Sequence, residues 1–114
     1  MRPPEDDVLL HDMLDHALKA VDATRGRARR DLDKDDVLAA ALERFLEVVG
    51  EAATKVSETT RREMGAVPWN EIIGMRNRLV HGYASVDRDI VWVAVTADLP
   101  ALVAELEAAI RGRR

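Results

Sequence analysis

Apolar residues recur every three or four positions along most of the chain, which is the signature of amphipathic helices. Between Glu5 and Thr24, Leu10, Met13, Leu14, Ala17, Leu18 and Val21 mark one helical face, and Glu5, Asp6 and Asp7 place negative charge in the first turn, where it suits the helix dipole. From Asp35 or Asp36 to Ser57, Leu38, Ala41, Leu42, Phe45, Val48, Val49, Ala52 and Val56 mark a second face. That helix would be about 33 Å long, the main strut of a small bundle. A third helix is predicted from Pro68 to His81 or Gly82, with the proline at its start and the glycine as its stop. In the last segment, Ile90 to Ile110, the β-branched run 90–95 would suit a strand, but Val91, Val95, Leu99, Leu102, Val103, Leu106 and Ile110 continue one helical stripe across Pro100. Asp87 or Asp89 would cap it. Arg25 to Lys34 reads as a mixed-charge loop, and Thr59 to Val67 as a polar connector. The expected fold is all-α, an antiparallel bundle of four to five helices joined by short links.

The 114 residues suit one domain, 1–114, with loose ends at 1–4 and 111–114. The absence of cysteine excludes a disulfide scaffold and any thiolate nucleophile or zinc ligand. Asp12 and His16 lie one helical turn apart, yet two ligands are too few for a metal site, so neither metal nor cofactor is expected. The longest stretch without a charge is eight residues, too short to span a membrane, and the N-terminus has no apolar signal segment; a cytoplasmic protein is expected.

A net charge of -4 argues against a protein that coats nucleic acid non-specifically. Local basic sites stay open, because 14 of the 17 cations are arginine and they cluster at Arg25, Arg27, Arg29 and Arg30, at Arg76 and Arg78, and at the C-terminus. Arg25, Arg27 and Arg78 are candidate RNA contacts, although the aspartates among Arg25 to Asp36 also fit a plain solvated loop.

One position breaks the helical pattern. With about 100° per residue, Arg76 projects from the middle of the apolar stripe formed by Ile72, Ile73, Leu79 and Val80. A cation there is costly unless it pairs with an acid, lines a cleft or meets a partner chain. Asn77 and His81 follow round the helix, four residues apart on one face. His81 could exchange a proton near neutral pH, Arg76 could stabilise phosphorane-like charge, and Asn77 could orient either group. The structural alternative is a capping histidine and an arginine paired with an acid such as Glu47 or Glu51.

The run Pro68-Trp69-Asn70-Glu71-Ile72-Ile73-Gly74-Met75-Arg76-Asn77-Arg78-Leu79-Val80-His81-Gly82-Tyr83 resembles the signature of the HepT-like branch of the HEPN superfamily, with R-x4-H at Arg76 and His81 and the extended form ending at Tyr83. The similarity spans about Leu42 to Leu106. It implies a HEPN-like helical homodimer, the toxin half of a toxin–antitoxin pair, in which the Arg and His of both protomers converge to cleave RNA without a metal. It also implies a minimal nucleotidyltransferase antitoxin that transfers AMP to the motif tyrosine, here Tyr83. DNA, lacking the 2′-hydroxyl, would not be cut. The other reading is a non-catalytic HEPN dimerisation module that binds nucleotides or protein. Dimerisation is also expected because Trp69, Met75, Trp92 and Val93 add apolar surface that a four-helix monomer can hardly bury.

Overall fold

A computed structural model describes residues 2–82 and 87–112. Among these, every regular element is helical. Helix α1 spans Pro4–Thr24 and buries Leu10, Met13 and Ala17 of the predicted face together with Ala20, while Leu18, predicted on that face, is exposed. It ends at Arg25, and Gly26 turns the chain with φ of 74°, a left-handed value that glycine adopts without strain.

The stretch read as a loop contains one short helix, α2 (Asp31–Lys34), which buries Leu32 in the core. Asp35 then caps α3 (Asp36–Lys55), its carboxylate accepting from Leu38 N–H at 2.9 Å. That bond is the main reason the Asp35 carboxyl is held below its ordinary range. The stretch read as a polar connector likewise forms a short helix, α4 (Glu58–Glu63), capped by Ser57. Its polar residues hid a single buried anchor, Thr60. Neither short helix has enough turns to show a period.

The motif helix α5 spans Trp69–His81, starting immediately after Pro68. The fourth predicted segment divides into α6 (Arg88–Val93), a π-helical turn over Ala94–Asp98, and α7 (Leu99–Arg111). Pro100 falls in the first turn of α7, where its missing N–H is tolerated. The backbone widens just before it, with Leu99 N–H donating to Ala94 O.

The core lies among α1, α3 and α7: Leu10, Met13, Leu42, Val49 and Leu106 belong to one buried cluster and are all essentially inaccessible. Helix α7 returns alongside α1, bringing Ala109 to the first residues of the chain. There Arg2 donates to Ala109 O at 2.8 Å and is itself buried. Asp6 closes the same end of the bundle. Its carboxylate accepts from Ser57 Oγ and Thr60 Oγ1, both at 2.6 Å, and from Ser57 N–H at 3.1 Å. Burial alone would raise its pKa, but these hydrogen bonds, with the charge of Arg2, hold it below the usual carboxylate value.

Helix α5 is attached differently. It packs against α3 and contributes a single buried residue, Trp69, to the core. Trp69 was expected to be exposed at an interface; instead its ring is buried, with Nε1 donating to Met64 O at 3.1 Å. Met75 and Trp92 are half-buried, and Val93 remains 54% exposed.

Candidate active site

Two attachments set the position of α5 on α3. At its start, Arg61 lies over the Trp69 ring at 5.9 Å and donates to the carbonyls of Ala53 and Thr54, so the beginning of α5 is joined to the end of α3. One turn further, the two helices meet at Gly50. A Cβ added there would stand 2.2 Å from Arg76 Cβ and 3.1 Å from Ile72 O. Only glycine permits this approach, and the approach determines where Arg76 sits.

Arg76 faces α3, as its place in the apolar stripe requires. Its Nη2 pairs with Glu51 Oε2 at 2.6 Å, and its Nη1 donates to Asn77 Oδ1 at 3.0 Å. Its Nε is buried and has no hydrogen-bond partner among the described residues. The cost of a cation in an apolar stripe is thus offset by one of the two acids foreseen, Glu51. Glu47 instead pairs with Arg44. The Arg76 side chain is still 25% exposed, so a ligand can reach the guanidinium.

Asn77, Arg78 and His81 are exposed. Counting about 100° per residue from Arg76, they occupy one arc turned away from α3, in the order Asn77, His81, Arg78. His81 lies about 7.5 Å along the axis from Arg76 and about 140° round it. The structure therefore brings Arg76 and Asn77 into contact and sets His81 on the outer face in the last turn of α5. Tyr83 lies outside the described residues.

On the side of α5 where Arg78 lies, an open groove of about 780 Å³ separates the helix from the π-helical turn and α7. Its floor is Leu46 and Val49, its walls include Ile72, Met75, Ala97 and Leu102, and Glu71, Arg78, Asp98 and Glu105 also line it. Gly74 has open space above it.

The candidate RNA contacts of the first loop are not free cations. Arg25 pairs with Asp22 at 2.9 Å and Arg27 with Asp35 at 3.5 Å. Sequence reasoning missed the part their neighbours play. Arg29 pairs with Asp33 and Asp89, and Arg88 bonds Leu32 O and pairs with Asp36. These bonds fasten α6 to α2 and the start of α3. The two carboxylates raise the Arg29 pKa further above its already high value. The only sequence signal for this brace was a surplus of acids and arginines in both segments. Gly50 was also missed, because a glycine inside a strong helical pattern announces a close approach without naming the neighbour.

His11 and His16 each bond a backbone carbonyl one turn earlier, Asp7 O and Asp12 O. No group of three or more His, Cys, Asp or Glu suited to a metal occurs among the described residues. Nor is any described helix long and apolar enough to cross a membrane.

Comparison with known proteins gives a consistent result. The family profile described as "Ribonuclease HepT-like" matches residues 13–109. A "Putative RNase" of Caldanaerobacter subterraneus subsp. tengcongensis is 36% identical over 93 residues, covering 78% of this chain and 83% of that protein. A "Putative RNase" of Methanocaldococcus jannaschii is 31% identical over 98 residues, covering 86% and 90%. A "Probable ribonuclease HepT" of Thermococcus cleftensis is 36% identical over 67 residues, covering 59% and 61%. No solved structure matches. With most of its length matched, and the R-x4-H motif standing on a helix that packs on one side only, the chain belongs to the HepT-like ribonuclease family.

Proposed function

We propose that this protein is a ribonuclease that cleaves RNA by transesterification without a metal, and that it acts as the toxin of a toxin–antitoxin pair. The observation that carries the reading is the Arg76–Asn77 contact on the same helix as an exposed His81, in a HepT-like chain. In this reaction the RNA 2′-oxygen attacks the adjacent phosphorus, and the 5′-oxygen leaves. A base must take the 2′-proton and an acid must supply one to the leaving oxygen. Arg76 stabilises the charge gathering on the phosphoryl oxygens, and Asn77 holds its Nη1. His81 performs one proton transfer. A homodimer supplies the other by bringing a second copy of His81 into the same cleft. The exposed Val80 and Val93, large apolar side chains left open to solvent, support an interface between two copies of the chain.

Incubating chelator-treated protein with RNA and DNA of the same sequence tests the mechanism. RNA should be cut to 2′,3′-cyclic phosphate ends and DNA left intact. Cleavage of DNA, or loss of RNA cleavage on chelation, would refute it. Sedimentation should show a dimer at micromolar concentration.

Regulation falls to a nucleotidyltransferase partner. The Tyr83 hydroxyl oxygen attacks the α-phosphorus of ATP held by that enzyme, pyrophosphate leaves, and the AMP brings a phosphate next to the motif. There it competes with RNA for Arg76 through a charge-assisted contact. Tyr83→Phe should stay toxic and resist neutralisation by the partner. Intact-mass measurement after co-expression should show the AMP increment on the parent protein and not on Tyr83→Phe.

A second reading, a non-catalytic module that binds nucleotides or protein, draws on the open groove along α5. His81→Ala separates the two. A nuclease loses cleavage and toxicity with its fold intact, whereas a binding module keeps its cellular effect.

A further inference from the structure

Arg76 meets two kinds of restraint. The first is steric: the Gly50 backbone of α3 lies so close to the Arg76 stem that even an added Cβ would stand 2.2 Å from Arg76 Cβ and 2.9 Å from its Cγ. The second is electrostatic: the next residue of α3, Glu51, meets the end of that side chain at 2.6 Å. The two restraints are linked, because a helix held further away by a side chain at position 50 would carry the Glu51 carboxylate out of reach of Arg76.

The guanidinium is therefore not free to rotate as a surface arginine is. Glu51 takes one N–H of Nη2 and Asn77 takes one of Nη1. Each of these nitrogens carries a second N–H, and together they form a two-pronged donor suited to two phosphate oxygens. Glu51 is itself 44% exposed and reaches Lys55 at 3.8 Å, so the pair lies at the edge of the protein rather than in its core. Stability is a weak explanation for such a pair, since ion pairs this open contribute little. Orientation is a better one.

We propose that Glu51 is a positioning residue of the nuclease centre: it fixes the Arg76 guanidinium so that the remaining N–H groups of Nη1 and Nη2 face the scissile phosphate. The inference rests on the ribonuclease reading for what Arg76 does, but not for how Arg76 is held. Catalysis by a preorganised charge depends on its being in place before the reaction, and a misplacement of about 1 Å can cost on the order of 10²-fold in rate.

The experiment compares the full-length protein with Glu51→Gln, Glu51→Ala, Arg76→Ala and the double variant Glu51→Ala/Arg76→Ala. Two readouts are used. The first is single-turnover cleavage of an oligoribonucleotide. Glu51→Ala should lower the rate roughly tenfold to a hundredfold with KM changed less than about twofold, and Glu51→Gln, which keeps an acceptor, should lose less. In the Arg76→Ala background, Glu51→Ala should have no further effect. Equal fractional losses in both backgrounds, or wild-type rates in Glu51→Ala, would overturn the inference.

The second readout needs no activity: ¹⁵N relaxation of the Arg76 Nε–H in the RNA-free protein, with the melting temperature as the control for fold. The group should be rigid in the parent and mobile in Glu51→Ala while the melt stays within a few degrees. An Nε–H equally rigid without Glu51 would overturn the inference even if RNA is cleaved. If the parent protein cuts no RNA, the ribonuclease reading fails, and relaxation alone then decides whether Glu51 holds Arg76.

Discussion

Helices α1 and α5 are both amphipathic, and the protein uses them in opposite ways. In α1 one row of the apolar face is enclosed: Leu10, Met13, Ala17 and Ala20 have no exposed surface, while Leu14 and Val21 are half-buried and Leu18 stays open to solvent. In α5 only Trp69 is buried, while Ile72, Ile73, Met75 and Leu79 are left half-buried. The cause is the number of neighbours. Helix α1 lies between α3 and α7, whereas α5 packs on α3 and has an open groove on its other flank. A helix in the first situation is held by area, and each buried side chain contributes to a shared core. A helix in the second is held by a few specific contacts: the Trp69 bond to Met64 O, Arg61 over the Trp69 ring and the close approach at Gly50. The candidate site residues Asn77, Arg78 and His81 stand on the helix whose outer face is still available.

The largest expected effects break this comparison into two halves. His81→Ala should reduce RNA cleavage on the order of 10²- to 10⁴-fold, as loss of a general acid or base does, and leave the denaturant midpoint almost unchanged. Leu42→Ala removes a side chain with no exposed surface. It should cost about 2–5 kcal/mol in chemical denaturation. Cleavage by the molecules that remain folded should persist. If His81→Ala unfolded the protein, α5 would belong to the core after all.

The difference between the two helices also explains what could be read beforehand. Long helices with enclosed faces announce themselves, so α1 and α3 follow from the spacing of their leucines, valines and alanines almost to their ends. The α2 and α4 segments have one buried anchor each, Leu32 and Thr60, and a single residue has no period to detect. Arg76 was legible because it contradicts its stripe. Its partner was narrowed only to Glu47 or Glu51, since which of two acids on α3 meets it depends on the register of α3 against α5. Gly50 sets that register, and a glycine's contribution is a distance between backbones that no side-chain pattern encodes. The burial of Trp69 depends likewise on Arg61 and Met64, which lie in and just after α4, a helix too short to show a period.

Gly50→Ala gives the next effect in size and sharpens the comparison at the point where the two helices touch. The added methyl would stand 2.2 Å from Arg76 Cβ, a rigid part of that side chain, so α5 must move outward. Overpacking of this kind costs about 1–3 kcal/mol. Cleavage should fall by more than the stability loss explains, because the shift separates Arg76 from Glu51. An alanine variant with parent stability and rate would show that α5 yields freely.

A smaller effect comes from the other end of the bundle and depends on pH. The Asp6 carboxyl has a lowered pKa in the folded protein, so the unfolded chain binds its proton first as pH falls. The stability Asp6 contributes is therefore fully present above its unfolded value, near about 3.9, and is lost as pH drops through the lower folded value. Melting temperatures of the parent and Asp6→Asn should differ most near neutral pH and converge in strong acid. A gap that stays constant with pH would mean that the Ser57 and Thr60 bonds serve the neutral acid equally well.

The smallest effect is expected where the sequence placed candidate RNA contacts. Arg25 and Arg27 stand in the loop after α1, each already engaged by an aspartate, Asp22 at 2.9 Å and Asp35 at 3.5 Å. Arg25 is 77% exposed, and such pairs add little to stability. Replacing both by alanine should move the melting temperature by less than about 3 °C. Their effect on RNA should be small for a related reason: a phosphate that approaches either guanidinium also meets the carboxylate beside it, and the two negative charges compete. The double variant Arg25→Ala/Arg27→Ala should therefore change KM for RNA less than about twofold, and leave the salt dependence of binding as it is in the parent. A phosphate contact on single-stranded RNA contributes about 0.7 to the slope of log affinity against log salt, so two lost contacts would flatten it by about 1.4. A flattening of that size, with a KM raised about tenfold, would place the loop on the path of the RNA and extend the working surface of the protein from α5 to the far end of α1.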